Sequence, residues 1–189
     1  MKRDDIMCDI KFGLDKRVDF IHAIVCSYVI KNNYKNKDEF DWVEFPNTKY
    51  FNDIVSKIDF DKFPQLEKYM LDIDDEAYYN YIAYLFNDDF SIRYEDIVKI
   101  NKPFKKEDLR EYLELVKEAY LSFDMNKILE DNKEELKLQQ EAFGKLPDGY
   151  NKVYVLNFFG SKEDIDLNIS GSIFMNGGFS STIGNFLYC

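Results

Sequence analysis

The chain contains few of the side chains that bind transition metals. Its 189 residues include one histidine, His22, and three cysteines, Cys8, Cys26 and Cys189. A protein zinc site needs several His and Cys ligands at short spacing, and a disulfide framework needs an even set of cysteines. We therefore predict no metal, no cofactor and no disulfide framework. His22 lies inside the apolar stretch 20–30, where a structural role is expected.

Positive charge is also scarce, because 25 Lys and Arg face 36 Asp and Glu and the formal net charge is -11. Nucleic acids and anionic membrane surfaces bind clustered cations, so neither partner is expected. The apolar stretch 20–30 is too short to span a bilayer. Residues 1–9 are charged and lack the apolar core of a signal peptide. These features predict a soluble, cytoplasmic protein.

Apolar side chains are abundant, with 46% hydrophobic and 17% aromatic residues. This composition is enough to build a packed core, which excludes an intrinsically disordered chain. Neither an internal repeat nor a long linker divides the sequence. We therefore predict a single domain over residues 1–189, with a helical part over about 1–143 and a β-rich part over about 150–189.

Apolar residues at helical spacing run through the first part of the chain. Asp15 and Asp124 are suitable N-caps, and Pro64 suits the first turn of a short helix. The segment after 124 has only a thin apolar stripe, which is typical of a surface helix. The predicted helices cover residues 15–32, 48–58, 64–70, 74–86, 106–122 and 124–143.

Glycine and proline between residues 144 and 149 mark a change of character. Apolar residues then predict strands at 153–159, 164–175 and 183–189. The predicted fold class is α+β, mostly α: a helical domain followed by a small C-terminal antiparallel β element. An apolar terminal strand such as 183–189 could pair with its copy, so a homodimer through the C-terminal strand is one expectation.

A Gly-Gly step makes residues 176–182 the most unusual local stretch. Its backbone N–H groups and hydroxyls could bind an anion, although the Gly-Lys-Ser/Thr ending of a phosphate-binding loop is absent. Asn-Gly is also the signature of a hairpin turn, and this interpretation is favoured. The candidate residues of a functional loop are Asn176, Gly177, Gly178, Ser180 and Ser181.

Carboxylates offer a second type of candidate site, because paired acids can catalyse hydrolysis. With 36 Asp and Glu in the chain, the sequence does not single out one pair. A hydrolase that uses acidic residues therefore remains an alternative function, with no catalytic residue assigned.

Three blocks of the sequence resemble a bacterial family of unknown function related to zincin metallopeptidases. They are the opening Phe12 to Phe20, the block with Tyr50 and Phe51 followed by residues 60–69, and residues 153–178 with their Gly-Gly-Phe. The family's chemistry would rest on a helical His-Glu-x-x-His, in which two His bind zinc and Glu acts as base. That motif is absent, so no catalytic residue is carried over.

The resemblance implies a truncated, non-catalytic relative of a zincin-like metallopeptidase. We expect such a chain to act by binding a protein partner. The two alternatives are the hydrolase that uses acidic residues and a structural protein that self-associates through its C-terminal strand.

Overall fold

The computed structural model describes residues 8–34, 38–40, 43, 45–70, 73, 77–100, 106–143, 165–171, 181–183 and 186–188. These residues are mostly helical. The helices are α1 (Lys16–Lys31), α2 (Lys49–Val55), α3 (Glu67–Met70), α4 (Ala77–Tyr84), α5 (Lys106–Leu121), α6 (Met125–Asp131) and α7 (Lys133–Phe143). Short 3-10 segments cover Asp38–Phe40, Pro64–Leu66 and Tyr94–Lys99. The strands are β1 (Cys8–Leu14), β2 (Ile165–Gly171), β3 (Ser181–Ile183) and β4 (Phe186–Tyr188).

Helix α1 forms the centre of the helical part. Asp15 caps it by accepting a hydrogen bond from the Arg17 N–H, and every residue from 18 to 29 is buried. Helices α2 and α4 both contact α1. A helix that is apolar on all sides is stable only inside a core, which explains why the remaining helices pack around this one.

The predicted helices are confirmed in type, with differences at their ends. Thr48 caps α2 through the Phe51 N–H, and α2 ends at Val55, earlier than predicted. The single helix predicted over 124–143 is two helices, because the chain breaks at Asn132. The Asn132 side chain donates to the Ile128 carbonyl at 2.8 Å and so terminates α6.

The predicted fold class is wrong in its β part. A separate antiparallel element at the C-terminal end is not seen in the described residues. The sheet has the order β1-β2-β4-β3, with β1 parallel to β2 and β2 parallel to β4. Among the strands that the structure describes, only the β3–β4 pairing is antiparallel. Strand β1 was not predicted, although its apolar residues Cys8, Ile10 and Phe12 alternate with polar or small ones.

The predicted strands of the β part have different outcomes. Strand β2 occupies part of the predicted strand 164–175, whereas 153–159 lies outside the described residues. The predicted strand 183–189 is replaced by β3 and β4. Residues 186–188 of β4 pair with β2 on one side and with β3 on the other. Dimerisation through this strand stays a prediction, and it would have to displace or extend an existing pairing.

Candidate functional site

A row of polar side chains runs along one side of α1. Asp19, His22 and Cys26 are three and four residues apart, which places them on one helix face. The Cys26 Sγ lies 3.2 Å from the His22 Nε2. Burial raises the pKa of the Tyr50 hydroxyl on α2, and the negative charge of Asp19 adds to this rise. The row therefore acts electrostatically on α2 through Asp19 and Tyr50.

A cysteine beside a histidine is the pairing used in thiol nucleophiles, but here water and substrates cannot reach it. Cys26 is 0% exposed and His22 is 1% exposed. A reactive thiolate needs a partly exposed, electropositive surrounding, whereas a buried thiol is inert. This burial supports the structural role expected for His22.

Several carboxyl groups have a pKa below its usual range. Hydrogen bonds from neighbours hold down the pKa of Asp53, Asp89 and Glu111. Burial opposes the same change at Asp96, but the Lys99 hydrogen bond and the Arg93 charge still lower its pKa. A general acid needs a raised pKa. These four carboxylates are therefore suited to ion pairing and offer no support for acid catalysis.

The structure describes little of the predicted Gly-rich loop. Asn176, Gly177, Gly178 and Ser180 lie outside the described residues. Ser181 is the first residue of β3, where it pairs with Tyr188 of β4. The hairpin-turn and anion-binding interpretations both stay predictions.

The ends of α1 and α2 enclose a cleft of about 290 Å³, which we call the helix-end cleft. Its apolar lining includes Ile30, which is 43% exposed although it is a large hydrophobic residue. The full lining is Ser27, Ile30, Lys31, Val55, Ile58, Asp59, Phe60 and Asp61. Apolar groups on the floor and charged groups on the rim are the usual composition of a protein-binding surface.

Helix C-termini and carboxylates bring negative charge to the helix-end cleft. Two helix C-termini end beside it, and each carries a partial negative charge. Asp59 and Asp61 add full charges at the rim. Lys31 is held by Asp61 at 3.1 Å and by Glu67 at 2.7 Å, and these hydrogen bonds raise the pKa of its ammonium group. Lys62 lies 3.7 Å from Asp59. The three acids Asp59, Asp61 and Glu67 therefore outnumber their two cation partners, Lys31 and Lys62, by one.

A second cleft of about 350 Å³ separates α2 from α6, and we call it the α2–α6 cleft. Its lining is Lys49, Asp53, Lys57, Phe123, Asp124, Lys127, Ile128 and Asp131. Sequence reasoning missed both clefts, although one signal was present. Lys49, Asp53 and Lys57 follow one another at intervals of four residues, which is the spacing of a charged helix face, although α2 itself ends at Val55.

No family model, no curated protein and no solved structure matches the chain. Across the described residues, no three His, Cys, Asp or Glu side chains are arranged to hold a metal ion. The helices described here are also too short or too polar to cross a membrane.

Proposed function

We propose that this chain is a non-catalytic, protein-binding relative of the zincin-like family, and that the helix-end cleft receives a basic segment of its partner. The observation that carries the proposal is the exposed apolar side chain of Ile30 beside the acidic rim of Asp59 and Asp61. A partner segment with leucine-like and lysine-like side chains would complement both features.

Two further observations support a binding role over a catalytic one. The histidine and the cysteine that could have formed a nucleophilic pair are enclosed in the core. The formal net charge of -11 would attract a basic partner over a distance and speed its association. Complementary charge of this kind raises the association rate and makes binding depend on salt.

The test is a titration of the purified chain with two labelled peptides followed by fluorescence anisotropy. One peptide has leucine at positions i, i+3, i+4 and i+7 and lysine elsewhere, which makes an amphipathic helix, and the other replaces each lysine with glutamate. We expect the basic peptide to bind, and we expect its affinity to fall as salt is added because the rim is acidic. The acidic peptide should not bind.

A matched pair of variants locates the binding surface. Ile30→Glu places a charge on the floor of the helix-end cleft, whereas Leu138→Glu changes an even more exposed side chain, at 67%, on α7. We expect Ile30→Glu to lower the affinity for the basic peptide by about tenfold or more. Equal weakening by both variants would reject the cleft as the docking site.

The non-catalytic part of the proposal has a separate test. The purified chain is incubated with zinc and a mixture of unstructured peptides, with and without a chelator. We expect no cleavage in either sample. Zinc-dependent hydrolysis that the chelator abolishes would show that the chain is an enzyme.

A further inference from the structure

Lys31 already occupies the acidic rim of the helix-end cleft. It is the last residue of α1, and its ammonium group lies 3.1 Å from the Asp61 carboxylate and 2.7 Å from that of Glu67. The same ammonium group lies 5.8 Å from the centre of the Phe60 ring. Lys31, Phe60 and Asp61 all line the cleft. The protein's own lysine therefore makes the ionic and cation–π contacts that a lysine of a basic partner segment would make.

The two acids that hold Lys31 differ in their access to a partner. The Asp61 side chain is 87% exposed, whereas that of Glu67 is 37% exposed. Glu67 begins α3 and is not part of the cleft lining. Lys31 can therefore release Asp61 to a partner and keep its ion pair with Glu67. Only side chains need to move, because the Asp61 backbone N–H is held by the Asp59 carboxylate at 3.0 Å.

A second lysine near the same rim lacks these properties. Lys62 lies 3.7 Å from the Asp59 carboxylate, which is beyond hydrogen-bond distance, and its side chain is 71% exposed. It is not part of the cleft lining. Lys62 carries the same charge as Lys31 but occupies none of the cleft. The two lysines therefore separate an effect of charge from an effect of occupancy.

We propose that Lys31 is an internal competitor for the helix-end cleft, and that a basic partner segment displaces it from Asp61 on binding. This inference rests on the proposed function, because it concerns the control of the same cleft. Displacement exchanges one Lys–Asp contact for another, so the partner's lysine gains less than it would at an unoccupied carboxylate. Lys31 thus lowers the affinity of segments that offer charge alone and favours those whose apolar side chains also cover Ile30.

The experiment measures the affinity of the basic peptide for the full chain by fluorescence anisotropy. The variants are Lys31→Met and Lys62→Met, each of which removes one positive charge and keeps an unbranched side chain. We expect Lys31→Met to bind the peptide about three- to fivefold more tightly than the wild type, because the competitor is gone. Lys62→Met should stay within about 1.5-fold of the wild type, since its exposed charge lies outside the cleft.

Two further variants separate occupancy from side-chain chemistry. Lys31→Gln is neutral but polar, and it should bind the peptide as tightly as Lys31→Met if the gain comes from the lost competitor. Lys31→Arg keeps the charge and should bind no more tightly than the wild type.

Displacement also predicts a difference in salt dependence. In the wild type, an internal ion pair is lost for the new one that forms, and salt weakens both. In Lys31→Met the new ion pair forms without that loss. We therefore expect the affinity of Lys31→Met to fall more steeply with added salt than that of the wild type or of Lys62→Met.

The outcomes separate this inference from the proposed function. Wild-type binding with no gain in Lys31→Met would overturn the inference and leave the proposed function standing. An equal gain in Lys31→Met and Lys62→Met would also overturn it, because general charge would then explain the effect. Binding to Lys31→Met but not to the wild type would support both. Binding to neither, while circular dichroism shows folded chains, would overturn the proposed function and this inference with it.

Discussion

Helix α1 and the helical segment from Asp124 to Phe143 are stabilised in different ways. Residues 18–29 of α1 are all buried, including polar ones such as Ser27, which donates to the Ala23 carbonyl at 2.7 Å. In α7, by contrast, Leu138 is 67% exposed and most neighbours are charged. Tertiary burial stabilises the first helix, while side-chain pairs and a few contacts support the second.

The difference predicts where the chain will tolerate change. A substitution in α1 alters the packing of aromatic rings from several elements at once, since Phe20 lies 5.4 Å from Phe90 and 5.3 Å from Tyr120 between ring centroids. A substitution on the outer face of α7 alters hydration and little else.

The largest effect is expected for Phe20→Ala in α1. Phe20 is 0% exposed, and removing a buried ring costs about 3–5 kcal/mol because transfer energy is lost and a cavity remains. Urea denaturation measures the free energy of unfolding. Phe20→Leu keeps more of the volume and should fall between the wild type and Phe20→Ala.

The control for this prediction is Leu138→Ala, which removes a large apolar side chain from the surface of α7. We expect its free energy of unfolding to stay within about 0.5 kcal/mol of the wild type. A loss as large as that of Phe20→Ala would mean that α7 is packed against something in solution, and the contrast between the helices would fail.

The next effect concerns two ion pairs with the same spacing and length. Lys99–Asp96 and Lys133–Glu130 are both three residues apart and 2.5 Å long, but the Asp96 side chain is 4% exposed and that of Glu130 is 68% exposed. We expect Asp96→Asn to cost about 2 kcal/mol, because its ion pairs with Lys99 and Arg93 are buried on the acid side. Glu130→Gln should cause no measurable loss, as is usual for exposed pairs.

The contribution of Asp96 should also depend on pH in a defined direction. Its pKa is lower in the folded chain than in the unfolded one, so its stabilisation is present above the unfolded pKa of about 3.9. It is lost as the pH falls through the folded pKa. Chemical denaturation from about pH 6 down to pH 2 should therefore show the wild type and Asp96→Asn converging at the acid end. A constant difference would mean that Asp96 acts through packing alone.

The same contrast explains what the sequence allowed us to predict. Burial leaves a strong periodic pattern, so α1, α4 and α5 were predicted closely from residues such as Ile21, Tyr81 and Leu113. The break at Asn132 was missed, because the Glu and Lys residues around it favour helix on either side. The strand that pairs with β1 could not be predicted either. Ile10 of β1 pairs with Leu167 of β2, and hydrophobic periodicity does not show which distant strands pair.

The clefts were harder to predict than the helices. A row such as Lys49, Asp53 and Lys57 looks like any solvated face until the structure places Lys127 of α6 opposite it. The exposure of Ile30 could not be predicted from the sequence either, because it follows an unbroken series of buried residues from 18 to 29. Sequence patterns locate the core, whereas a cleft depends on the spacing between elements that the pattern does not encode.

The smallest effect tests one of the contacts that hold α7. The Leu14 N–H of β1 donates to the Gln140 Oε1 at 2.9 Å in an exposed position. Gln140→Ala should lower the free energy of unfolding by only about 0.5 kcal/mol, since water can replace an exposed acceptor.

Its effect should be local, and hydrogen exchange can show this. We expect the Leu14 amide to exchange faster in Gln140→Ala, while amides in α1 keep their protection because they open only with the whole core. The neighbouring substitution Gln139→Ala, at another exposed position of α7, is the control and should leave the Leu14 amide unchanged. Faster exchange across α1 in the Gln140 variant would mean that α7 and the core unfold as one unit, which would remove the distinction between the two helices.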